Sequence, residues 1–156
     1  MTVEILRWLH VIGATVLLGT GAGIAFFMVM AHRTRDPALI AHVTGTVVVA
    51  DALFTASAVV AQPVTGALLA WEIGWSLGEP WILLSLGLYA AAGVFWLPVV
   101  VIQIRLRDLA RAAAASGDGL PAAYDRLYRR WFACGFPAFG AVLGIIWLML
   151  ARPPLW

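Results

Sequence analysis

The sequence predicts an all-α fold, an integral membrane bundle of four transmembrane helices, and three observations lead there. The chain is 63% hydrophobic and only 12% charged, where a soluble domain is about 25% charged. Its mean hydropathy is +0.93. Four apolar runs each reach the ~20 residues needed to cross a hydrocarbon core. So few charges cannot cover a water-facing surface, and the surplus apolar area must face lipid. At 156 residues, one membrane domain over 1–156 is the natural count.

The spans are expected at about 5–32, 43–71, 81–104 and 131–151. In the first, the core Trp8 to Ala31 is interrupted by one strongly polar residue, His10. A secretory signal would have a shorter apolar region, about 7–15 residues, followed by a small-residue cleavage pattern. None follows here, so the run reads as a retained span. Gly13, Ala14 and Gly21 narrow it and predict a place inside the bundle.

The second run, Val43 to Trp71, is longer than a crossing needs and should tilt or kink. Pro63 supplies the kink, because it lacks an N–H and its ring clashes with the preceding turn. Gln62 is then placed to satisfy a freed carbonyl. The third and fourth runs start at Trp81 and Trp131. With Trp8, Trp71 and Trp156, these indoles are expected to mark the headgroup level.

Orientation follows from the ten basic residues, all arginine. Arg33, Arg35, Arg105, Arg107, Arg111, Arg126, Arg129 and Arg130 lie in the connections after spans one and three. The connection after span two has none and carries Glu72 and Glu79. The positive-inside rule makes the arginine-rich side cytoplasmic and both termini outward, N-out and C-out. That placement, in a bacterial cytoplasmic (inner) membrane, also argues against nucleic acid as a partner. Span three should continue as helix to Ala115 and stop at Ser116-Gly117-Asp118-Gly119. Pro121 can open the next helix. Tyr124, Leu127, Tyr128 and Trp131, at i, i+3, i+4 and i+7, predict a short amphipathic cytoplasmic helix on the membrane surface before span four.

In lipid, helices associate through close backbone approach. Gly19 with Gly23, and Gly140 with Gly144, form small-xxx-small pairs suited to packing within the bundle, to a homodimer, or to a membrane partner. The lone Cys134 has no disulfide partner and reads as a packing residue.

Polar side chains within a span are expensive and by default point to function. His10 is a candidate axial ligand for b-type haem, and Met149 the best-placed second ligand. Asp51, Gln62 and Gln103 are the buried polar candidates, with Asp51 and Gln103 at similar depth. An ionised Asp51 needs a partner or takes up a proton; Arg33 or Arg105 could snorkel to it, and it reads either as a proton or cation relay or as a helix-locking contact. Met28 and His32 share a helix face, and with His42 they offer a thioether and imidazoles to copper(I). His10 and His42 fall near opposite membrane faces. No phosphate loop, nucleophile elbow, zinc motif or dinucleotide fingerprint is present.

The runs Leu9-His10-Val11-Ile12-Gly13-Ala14, Ala31-His32-Arg33-Thr34, Ala61-Gln62-Pro63-Val64-Thr65-Gly66 and Trp96-Leu97-Pro98-Val99-Val100 resemble, over the whole chain, a bacterial family of predicted integral membrane proteins, domain of unknown function 2269. More distantly, the leucine-histidine opening of span one is similar to the haem-binding protoporphyrinogen oxidases and to copper-resistance D-type membrane domains. That likeness implies His10 as haem ligand. The oxidases also use a lysine on a later span, and this sequence has none. Three functions are therefore carried forward. One is a b-type haem protein for electron transfer or tetrapyrrole oxidation, the second a non-enzymatic scaffold or partner subunit, and the third a small ion or copper transporter.

Overall fold

The computed structural model describes residues 1–155; Trp156, one of the expected interface markers, lies outside them. The chain forms α1 (Thr2–Thr34), α2 (Pro37–Ala50), a π-helical turn (Asp51–Thr55), α3 (Ala56–Ile73), α4 (Pro80–Ser116) and α5 (Ala122–Ala151). The segment from α2 to α3 is one long helix, Pro37–Ile73, so four helices are long and apolar enough to cross a membrane.

The connections are short because their chemistry is local. Arg35 ends α1 in the left-handed region, at φ 57. Asp36 then caps α2, accepting from the N–H groups of Ala38 (2.8 Å) and Leu39 (3.3 Å). Pro37 fills the first turn, where an N–H would go unused. Gly74 and Gly117 end α3 and α4 at φ 83 and 76, a conformation that costs glycine little. The expected stop at Ser116-Gly117 is where α4 ends.

All helices extend beyond the expected spans, since polar flanks of an apolar run remain good helix formers. One element differs in kind. No separate surface helix precedes span four; α5 runs unbroken from Ala122, with no breaker between Tyr124 and Trp131. The i, i+3, i+4, i+7 face packs inward rather than onto the membrane surface. Tyr124 and Trp131 are buried, and they join Met28, Ile40 and Leu106 in the main core, with Leu127 and Tyr128 at its edge. The same periodicity fits both arrangements, and a protein surface is available to it here.

The main core lies at the arginine-bearing end, where α2 sits between α1 and α4. At the opposite end, α1 packs on α3 and α4 on α5, with only slight contact between α1 and α5. A second small cluster of Trp81, Ile82 and Leu148, with Trp75 and Met149 against it, secures that end of the α4–α5 pair. Arg152 stacks over Trp75, 4.5 Å from the ring centroid. Trp81 and Trp131 therefore face the protein, while Trp8 and Trp71 are exposed as expected of interface markers. Nor is α1 enclosed: its glycines at 19, 21 and 23 have no other part of the chain within 4 Å of where a Cβ would sit. Small residues permit close packing without requiring it.

Candidate functional site: an intramembrane cavity with a polar floor

The two helix pairs diverge around a cavity of about 370 Å³. Its walls are almost wholly apolar, drawn from α1, the long second helix, α4 and α5, and it is partly open. Phe132, Phe136 and Phe139 stand partly exposed along its α5 rim. Such a volume is in the range that holds a small organic molecule.

Apart from Gln62, its side-chain amide and carboxylate groups gather at one place. Asp51, 4% exposed, accepts a hydrogen bond on Oδ1 from Trp96 Nε1 at 3.3 Å. Gln103, 1% exposed, is oriented by its neighbours: the amide nitrogen donates to Asp51 Oδ2 at 3.2 Å, and the amide oxygen accepts from Trp131 Nε1 at 3.2 Å. Asp51 and Gln103 thus meet, as their common depth suggested. The partner of Asp51 is not an arginine, however. Among the described residues, the ion pairs engage Glu4, Asp108 and Asp125.

The π-turn shapes this floor. In it the N–H of Ala56 reaches back five residues to the Asp51 carbonyl. Elsewhere the hydroxyls of Thr15, Thr44, Thr46, Ser57, Thr65 and Ser85 fold back onto the carbonyl four residues earlier. For Thr55 that carbonyl belongs to Asp51, within the π-turn, and no such bond forms. Its Oγ1 is buried without a partner, on the cavity wall. Such a group in a native interior calls for a ligand or a water.

A second polar cluster clasps α1 to α3. Gln62 Nε2 donates to the His10 carbonyl at 2.8 Å, and its amide passes so close over Gly13 that a Cβ there would collide with it. His10 Nδ1 lies 2.9 Å from Thr65 Oγ1, and the ring packs on Gly66, where a Cβ would come within 3.1 Å of Cε1. The Thr65 hydroxyl donates to the Ala61 carbonyl at 2.8 Å, so it accepts from His10 Nδ1–H, which leaves Nε2 with the lone pair. Gln62 does not serve the carbonyl freed by Pro63. That carbonyl is on Val59, and it accepts from the hydroxyl of Tyr89 on α4.

The family model for predicted integral membrane proteins of domain of unknown function 2269 (DUF2269) matches residues 4–153. The chain belongs to this family. No curated protein and no solved structure matches it.

In this DUF2269 chain the segments that carried the resemblance hold the architecture together. Gln62, Thr65 and Gly66 form the α3 side of the clasp, and Trp96 holds the carboxylate. The remaining candidates do not converge on either cluster. Met149 packs beside Trp81 and Leu148, on the α4–α5 pair, whereas the clasp partners of His10 are on α3. Met28 is enclosed in the main core. His32 stacks on Tyr128 at 3.5 Å between centroids and reaches the Tyr124 hydroxyl at 3.4 Å. His42 is exposed. Among the described residues no group of three or more His, Cys, Asp or Glu side chains is placed to hold a metal. Gly140 is open, and Gly144 meets Leu88 of α4.

Thr55, Tyr89, Trp96 and Trp131 were missing from the sequence-derived set of site residues. Thr55 follows Asp51 at i+4, which was a readable signal. The other three depend on which helices become neighbours.

Proposed function

We propose that this DUF2269 protein binds a membrane-soluble small molecule, an apolar body carrying one hydrogen-bonding head, in the cavity between its helix pairs. The observation that carries this reading is Thr55 Oγ1, a buried hydroxyl without a partner, on a residue that lines a largely apolar cavity beside its polar floor. A hydroxyl there can donate to a ligand oxygen and offset the cost of its own burial. The arginine distribution supports a cytoplasmic assignment for the main-core end, in a bacterial inner membrane, with both termini outside. A cysteine at Asp118 that reacts with a membrane-impermeant maleimide only after cells are opened supports that topology; labelling in intact cells reverses it.

Triphenylphosphine oxide, neutral and apolar with one strong acceptor, is a suitable probe by equilibrium dialysis against protein in nanodiscs. Saturable uptake above empty nanodiscs is expected. Gly93→Phe, which projects a ring into the cavity from an open position, should abolish it. Thr55→Val should weaken it severalfold, the scale of one neutral hydrogen bond. Uptake equal to that of empty discs, or undiminished by Gly93→Phe, overturns the reading.

A second reading, b-type haem on His10, is favoured by the tautomer: with Nδ1–H held by Thr65, Nε2 is the free ligand nitrogen, as in histidines oriented for metal binding. Haem-supplemented protein should then show a Soret band that His10→Ala removes. A flat visible spectrum ends that reading.

A further inference from the structure

We infer that the cavity selects a lipophilic organic cation, with Asp51 as its counter-charge. The inference rests on the binding reading above and names the class of ligand.

The hydrogen-bond partners of Asp51 are donors. Oδ1 faces an indole N–H and Oδ2 an amide N–H. Indole nitrogens only donate, and the Gln103 oxygen faces Trp131 rather than Asp51. A protonated carboxyl would need an acceptor for its own hydrogen, and this shell provides donors alone. The shell therefore suits a carboxylate. Two neutral donors solvate the charge without neutralising it, and no basic side chain among the described residues pairs with it. A bare negative charge within a membrane is costly, so a cation from outside the chain is the missing partner.

The cavity walls narrow the choice of cation. Tyr89, Trp96, Trp131, Phe132, Phe136 and Phe139 all line it, and aromatic faces attract cations through their quadrupoles. An inorganic ion would lose its hydration to apolar walls and gain only one carboxylate. An ammonium or phosphonium bearing apolar groups would put those groups against the walls and its charge near Asp51. Exposed Phe132, Phe136 and Phe139 along the α5 wall suit a ligand that partitions into the bilayer.

Tetraphenylphosphonium and tetraphenylborate have nearly the same shape and opposite charge, and both can be titrated into protein in nanodiscs with empty nanodiscs subtracted. The phosphonium should bind more tightly, by about tenfold or more. Asp51→Asn should remove the preference, and Asp51→Glu should keep it. Equal affinity for the two ions, preference for the borate, or a preference that survives Asp51→Asn would each overturn the inference. Should Asp51→Asn fail to fold, the wild-type ratio of the two ions still decides. Binding of the neutral oxide without charge preference would leave the binding reading intact and sink this one alone.

Discussion

The side chains around Pro63 show how one residue sets the task of another. Proline provides no N–H for the carbonyl four residues back, so Val59 must find a donor elsewhere. In lipid that cannot be water. Tyr89, on a different helix, takes the role, and so a local backbone defect becomes a tie between α3 and α4. Tyr89→Phe should therefore cost about 1–3 kcal/mol of stability, the penalty of an orphaned buried acceptor. In a Pro63→Ala background the helix closes its own bond, and the same tyrosine change should cost clearly less. Thermal unfolding of the four proteins in mild detergent measures the coupling. Equal costs in both backgrounds would mean that the hydroxyl does not serve Val59.

Among the elements, α1 and α3 show that glycines of one helix do different jobs. At Gly13 a methyl group would displace the Gln62 amide from the His10 carbonyl, and at Gly66 it would press on the imidazole. Gly19 and Gly23 meet nothing within 4 Å. Gly13→Ala and Gly66→Ala should each lower stability by about 1 kcal/mol, one hydrogen bond or its equivalent in packing. Gly19→Ala and Gly23→Ala should be neutral or stabilising by up to about 1 kcal/mol through helix propensity. A loss at Gly19 or Gly23 as large as that at Gly13 would indicate that a second molecule covers this face. The four spans and the stop at Gly117 were legible because they rest on apolar length and on turn chemistry, both local. The clasp and the polar floor were only partly so. His10, Gln62, Asp51 and Gln103 stood out as polar residues in apolar runs, but their partners are ordinary-looking threonine, tyrosine and tryptophan. Trp131 in particular sits where an interfacial indole is expected, and only packing against Gln103 reveals its other role.

At the scale of the whole molecule, the bundle is closed at one end and divergent at the other. Besides the main core, the closed end has one polar strap from the α1–α2 turn to the start of α5, the Arg35–Asp125 pair, at 2.6 and 3.2 Å. The hydrogen bond from Arg35 holds the Asp125 carboxyl below its usual range. A carboxyl lowered on folding stabilises the fold above its unfolded pKa, about 3.9, and loses that contribution as pH falls through the lower folded value. Both side chains are substantially exposed, so the contribution should be under ~1 kcal/mol. Asp125→Asn should match the wild type in the acid range and fall slightly below it at neutral pH. A gap that persists at pH 2 would assign the effect to packing. The division into a cored end and a hollow end was not legible in the sequence, because mean apolar character is the same whether a span faces lipid, protein or a cavity.

The π-turn also fixes a phase. Each residue of an α-helix advances about 100° around its axis. With the extra residue at 51–55, the second span presents Asp51 and Thr55 to the cavity and, further along, Gln62, Thr65 and Gly66 to α1. Deleting one residue in this turn, Ala52 for instance, would restore a regular helix and rotate one half of the span against the other by that angle. Either the carboxylate or the clasp would then keep its place, but not both. A single-residue deletion here should consequently be worse tolerated than any single substitution of the exposed residues that flank it.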